Sequence, residues 1–408
     1  MTSPPAAEIQ PAAPPGVVLA IRSVARRRWP TFTVALLLVA VGVACGWVVY
    51  DELADAIDGL PLLYAVLFAF VPVLPLSALF VWLNRLRPEP TWLLLVALGW
   101  GALAATAISL KLNAWLAVQV GDVNGASPRS AVFVAPWVEE VAKGAVIFAI
   151  VIWRRHDFNA VVAGVVFGGL AGIGFAFTEN VLYYGQHFQS QGEELFSFEA
   201  FQSLFLWRGI KSPFAHPMLT MMTGAGIGIA VRHRHVGVRI LAPVAGFCAA
   251  ALLHMGYNSV ASFAATSSSL TALYLAVLLP TLFALVTLVA LVRRHERHVI
   301  AARLRDYTAY GWLKADQLPY IVSGAGRRAA RRHSKQFGKA ERDRVRAFQR
   351  TGMDLGLLRD RIVRGVAGAT ELPKERDLIA AMRSHRGRVL LPGAIGRAQE
   401  LPTANSSW

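Results

Sequence analysis

Long apolar runs alternate with short polar ones along most of this chain. The apolar runs lie near residues 30–50, 61–84, 91–112, 130–153, 159–184, 212–232, 238–262 and 271–293. Each has about 20 residues or more, enough for an α-helix to cross a hydrocarbon core of about 30 Å. Backbone polar groups in lipid must be satisfied within the chain, and helices do this segment by segment. The pattern therefore predicts an all-α, polytopic membrane protein with about eight transmembrane helices. Pro72 and Pro75 predict a kink in the second span. Gly164, Gly168 and Gly172, and again Gly224 and Gly228, recur at four-residue intervals and predict closely packed helix backbones.

The polar flanks give an orientation. Arg22, Arg26, Arg27 and Arg28 precede the first span. Arg85 and Arg87 follow the second, Arg154 and Arg155 the fourth, Arg232 and Arg234 the sixth, and Arg293, Arg294 and Arg297 the eighth. The opposite connections carry Asp51, Glu52, Asp55 and Asp58, or Glu193, Glu194 and Glu199. The alternation predicts a multi-pass protein of the cell membrane with both termini cytoplasmic. The aromatic-rich connection from 185 to 211 reads as an interfacial helix or a cap over the outer face.

Composition agrees. Of 408 residues, 55% are hydrophobic and 16% charged, against about 25% charged in soluble domains. Three regions are expected: a disordered Pro/Ala-rich segment with a basic flank (1–29), a membrane domain (30–293) and a basic cytoplasmic helical tail (294–408). No small-residue cleavage site follows a short apolar core near the start, so the first helix is expected to remain as an anchor. Cys45 and Cys248 sit in apolar runs and read as buried small residues. Most of the net charge of +16 lies in the tail, with 24 Lys and Arg against 11 Asp and Glu from Arg294 onward. Tail helices are expected near 325–350, 354–366 and 374–386. The cluster Arg327, Arg328, Arg331 and Arg332 suits anionic lipid headgroups. Nucleic-acid binding is disfavoured, because no aromatic residues interleave with the basic ones.

Four consecutive spans carry polar motifs at membrane depth. The fourth has Glu139-Glu140-x-x-Lys143, the fifth Phe175-x-x-x-Glu179-Asn180, the sixth His216-x-x-x-Thr220 and the seventh His254-x-x-x-Asn258. Residues four apart share a helix face, so each span can turn one polar stripe inward. With the topology above, all four stripes fall in the outer half of the bilayer. Ionisable groups there are costly and imply a site. Two histidines and a carboxylate can hold a divalent metal such as zinc. A second carboxylate can deprotonate water, and asparagine can hydrogen-bond an oxyanion. Lys143 can hold Glu139 ionised or serve as its counter-charge. Thr220 reads as a group that bonds its own helix backbone.

In order, Glu139-Glu140-x-x-Lys143, Phe175-x-x-x-Glu179-Asn180, His216 and His254-x-x-x-Asn258 resemble the four motifs of the PrsW family intramembrane proteases. Those are related to the CAAX prenyl endopeptidase and bacteriocin-processing superfamily. The resemblance covers about residues 130–260. It implies peptide-bond hydrolysis within the membrane by a glutamate-activated water, with anti-sigma factors as one substrate class. On that reading Glu139 is the base, and Glu140 supports it or exchanges roles with it. His216 and His254 are metal ligands or oxyanion donors, and Glu179 is a third ligand. Asn180 and Asn258 are supporting or oxyanion groups. Two other classes share the same chemistry. A proton- or ion-coupled transporter also uses buried Glu, His and Lys, though no internal repeat of the motif-bearing half is present. A non-catalytic scaffold would act through the basic tail.

Overall fold

The computed structural model describes residues 28–84, 89–122, 129–154, 161–190, 198–263 and 271–392, apart from 273, 366, 368–370 and 386. Arg22, Arg26, Arg27, Arg85, Arg87, Arg155, Glu193 and Glu194, used above for orientation, lie outside these residues, as does nearly all of the Pro/Ala-rich start.

The described residues are helical, with no strand among them. Helix α1 spans Arg28–Ala56. Helix α2, Gly59–Leu83, is interrupted between Phe70 and Val73, beside Pro72. Helix α3, Thr91–Gln119, contains a π-helical stretch at Trp100–Ala105. A π-helical turn at Ser130–Val134 leads into α4, Ala135–Arg154. Helix α5 spans Val161–Ser190, α6 Phe198–Phe205 and α7 Ala215–Arg232, with a π-helical Leu206–Lys211 between the last two. Helices α8, Val236–Phe263, and α9, Leu279–Ala309, complete the membrane part.

Six segments among the described residues are long and apolar enough to cross a membrane: Gly59–Leu83, Thr91–Gln119, Val161–Ser190, Phe201–Arg232, Val236–Ser262 and Tyr274–Ala309. The other two predicted spans coincide with α1 and α4. Helix α4 carries Glu139, Glu140 and Lys143, more charge than a span judged on composition alone tolerates. The outward faces expose large apolar side chains such as Leu67, Leu95, Leu241 and Leu288, as a lipid-facing surface requires.

Helix α5 is the axis of the bundle and is buried over nearly its whole length. Its small residues explain why. An added Cβ at Gly164 would lie 2.0 Å from the Gly224 carbonyl oxygen, one at Gly168 2.6 Å from that of Thr220, and one at Gly172 2.6 Å from that of His216. Going up α5 by four residues steps down α7 by four, so the two helices run antiparallel with backbones touching. On the other side, Gly174 and Gly101 admit α3 and α5 to the same closeness. This stripe fixes the height at which His216 and Thr220 face α4. The aromatic connector is a helix packed on α5, where Tyr184, Phe188, Phe201 and Phe205 cluster with Phe68.

The tail differs in detail from its expected segmentation. Helix α9 runs unbroken through residue 293 to Ala309. It is followed by α10 (Leu318–Val322), α11 (Gly324–Ser334), α12 (Gly338–Val363) and α13 (Glu371–His385). The break expected near 350 falls instead at Gly338, whose φ of 84° suits glycine. Gly352 and Gly356 do not end α12. They sit under Ile321 and Ile300, where a Cβ would collide. Ile300, Leu304, Ile321, Val345, Phe348 and Met382 form a separate core for this unit. Buried Asp360 ties it to the membrane helices by accepting from Arg364 of the tail at 2.8 Å and Arg303 of α9 at 3.4 Å, with Arg232 of α7 at 3.6 Å. Arg303 and Arg364 of the basic tail are therefore bonded within the fold.

Candidate active site

The four polar motifs meet between α4, α5, α7 and α8. Lys143 is fully buried at the centre. Its ammonium lies 2.7 Å from Glu140 Oε1, 3.5 Å from Glu139 Oε2 and 3.1 Å from His216 Nδ1, with the Phe175 ring 4.2 Å away on another side. An ammonium only donates, so His216 accepts at Nδ1 and keeps its proton on Nε2. That Nε2–H donates to Glu179 Oε2 at 2.8 Å.

Glu140 is saturated. Besides Lys143 it accepts from Thr220 Oγ1 at 2.9 Å and from His254 Nδ1 at 3.2 Å. The hydroxyl of Thr220 thus reaches across to α4. His254 consequently holds its proton on Nδ1 and directs the Nε2 lone pair at Glu139 Oε2, 3.8 Å away. That separation is too long for a hydrogen bond. The two imidazole rings stand 5.1 Å apart and nearly perpendicular.

Glu179 is claimed from the other side by Arg208, whose guanidinium pairs with it and donates through Nε to Asn180 Oδ1 at 2.8 Å. Arg208 comes from the π-helical stretch ahead of α7, where the wide turn aims it back at α5. Nothing in the motif spacing singled it out. The available signal was a lone arginine in an aromatic connector just ahead of His216. Asn258 does not join the cluster. Its side chain donates to the Ala131 carbonyl at 2.8 Å, pinning α8 to the turn that precedes α4.

Counting charges separates the three carboxylates. Glu140 has Lys143 at 2.7 Å, and Glu179 has Arg208. Glu139 has no cation of its own, only the longer contact to Lys143. It is also 6% exposed, whereas Glu140 is fully enclosed. A carboxylate oxygen of Glu139 and one ring nitrogen each of His216 and His254 lie within 4.8 Å of one another. Two histidines and one glutamate are a ligand set found in catalytic zinc sites. The unbonded Nε2 of His254, backed by Glu140 on Nδ1, has the carboxylate partner usual for a ligating histidine. These residues could hold a divalent metal if His216, bonded at both nitrogens, gave up its contact with Lys143 or with Glu179 to ligate. The carboxylate of this group is Glu139, whereas Glu179, also expected as a ligand, pairs with Arg208.

Residues 89–288 match the PrsW family intramembrane metalloproteases. The match spans just under half of the chain and takes in all four motifs. The protein is a membrane-embedded peptidase, and the transporter and scaffold readings lose their ground. No curated protein and no solved structure gave a significant match.

Proposed function

We propose that this peptidase cleaves transmembrane segments of other membrane proteins near the extracytoplasmic side, with Glu139 accepting the proton of the attacking water. The observation that supports this is the charge pairing: Glu139 is the one carboxylate of the cluster without a dedicated cation. Its Oε2 faces His254 and Lys143, which leaves the second oxygen for the proton. The water oxygen attacks the scissile carbonyl carbon, and the proton held by Glu139 then passes to the departing amide nitrogen as the C–N bond breaks. Such proton transfer contributes about 10²- to 10⁴-fold to rate. Arg208 fixes the Asn180 amide by its oxygen, so its NH₂ end is the one available to an oxyanion. Glu140, Lys143 and Thr220 orient the imidazoles. The resemblance points to anti-sigma factors as a substrate class.

A divalent metal such as zinc would be held by His216, His254 and one oxygen of Glu139, and would polarise the scissile carbonyl. Purified active protein is expected to carry one such ion per chain. His254→Ala should lower metal content and activity together. Activity that survives a strong chelator, in protein with far less metal than chain, would remove the metal and leave Glu139 as the sole activator.

The outward position of the site rests on topology. Polar bonds at one end of the bundle join Asp58 to Gln189 and Glu52 to Lys111. At the other end lie Arg232, Arg303 and Arg364. A reporter fused after Arg234 is expected to read cytoplasmic, and one placed near Glu193 extracytoplasmic. The reverse pattern would put the site in the inner leaflet.

A further inference from the structure

A cavity lies between α2, α7 and α9. Its volume is about 480 Å³, within the range of about 300–1,000 Å³ typical of ligand sites. Its lower wall is apolar: Phe80 and Leu83 from α2, Met218 and Met221 from α7, and Val289 and Ala290 from α9. Leu79, Trp82 and Val286 at its rim are exposed, so it opens sideways between α2 and α9 toward the surrounding lipid. Leu282 and Arg297 both line it from α9, and their spacing corresponds to about 22 Å of helix axis. The space is therefore long and runs parallel to the helices.

Its cytoplasmic mouth has a different chemistry. Arg293 and Arg297 from α9 and Arg327, Arg328 and Arg331 from α11 surround it, and among the described residues no carboxylate lines it. The terminal nitrogens of Arg297 and Arg328 come within 4 Å of the point where a Gly324 side chain would begin, so the absence of a side chain there keeps the mouth open. The Arg293 guanidinium lies 4.8 Å from the centre of the Trp82 ring. Arg331 donates to Gln349 at 2.8 Å. Burial, with Arg331 and Arg293 adding to it, lowers the Arg327 pKa to about 10.

We propose that this cavity is a binding site for one anionic phospholipid, with an acyl chain between α2, α7 and α9 and the phosphate beneath the five arginines. Both halves are needed. A free phosphate would use the arginines and leave the apolar slot empty, and a neutral lipid would do the reverse. Basic pockets between helices on the cytoplasmic side are suited to anionic headgroups.

The test uses the full chain in detergent, delipidated and then exposed to phosphatidylglycerol or phosphatidylcholine, with bound lipid counted by native mass spectrometry. One phosphatidylglycerol per chain is expected, with a raised melting temperature and no retained phosphatidylcholine. Arg297→Ala with Arg328→Ala should weaken phosphatidylglycerol binding about 30-fold. Ala290→Trp, which fills the slot and leaves every arginine in place, should abolish it. Neither change touches the histidine and glutamate cluster, and an unchanged helical circular dichroism spectrum would show that the variants fold. Equal retention of both lipids, full competition by glycerol phosphate, or wild-type binding by Ala290→Trp would each overturn the proposal.

Discussion

Glu139→Gln is expected to lower cleavage of a membrane-protein substrate by about 10²- to 10⁴-fold, while the protein inserts and melts as the wild type does. The substitution keeps size and shape and removes the group that takes the proton. It breaks little, because the nearest partners of Glu139 are at 3.5 and 3.8 Å. Glu140→Gln should behave differently. It weakens a fully buried ion pair at 2.7 Å and disturbs the bonds from Thr220 and His254. Breaking a buried pair of this kind costs about 3–5 kcal/mol, so the loss should appear first as a lowered melting temperature. Cleavage rate and thermal unfolding, measured on both variants in one detergent, separate the two roles. Full activity in both glutamine variants would end the peptidase mechanism in this form.

Gly168→Ala is expected to damage the site from a distance. The new methyl would lie 2.6 Å from the Thr220 carbonyl oxygen and 2.9 Å from the Met221 Cα, both of them backbone atoms that cannot swing aside. Helix α7 must move away from α5, and His216 and Thr220 move with it. Overpacking of this kind costs about 1–3 kcal/mol. A small shift of a catalytic group can also cost about 100-fold in rate. Gly256→Ala in α8 is the control. Nothing lies within 4 Å of its added methyl, so it should be neutral or stabilising by up to about 1 kcal/mol. Wild-type activity and melting in Gly168→Ala would show that the α5–α7 contact does not hold the site together.

The glycine stripe was readable in the sequence as a packing signal, yet its partner was not. Spacing alone cannot say that Gly164, Gly168 and Gly172 of α5 meet Gly224, Thr220 and His216 of α7. Arg208 was missed for a related reason. Its reach back to Glu179 and Asn180 depends on a π-helical turn and on an aromatic cluster that holds the connector against α5. Asn258 shares a stripe with His254, but the two are a full turn apart on α8. The cluster takes the first, and the Ala131 carbonyl takes the second. In the tail, a break expected near 350 gave way to a continuous α12, because glycines at 352 and 356 serve close packing rather than chain reversal.

What the sequence by itself determined is therefore local. A lipid environment imposes on each span a length and an apolar composition that can be counted, and a charged residue within a span stands out against them. Helical periodicity then assigns the residues of each motif to a common face. Only the tertiary structure decided which carboxylate lacks a dedicated cation, which imidazole nitrogen keeps a lone pair, and which arginines gather at a cavity. Those outcomes depend on the relative height and rotation of helices brought together from distant parts of the chain. Steric contact between backbones sets that geometry, and no window of sequence contains it.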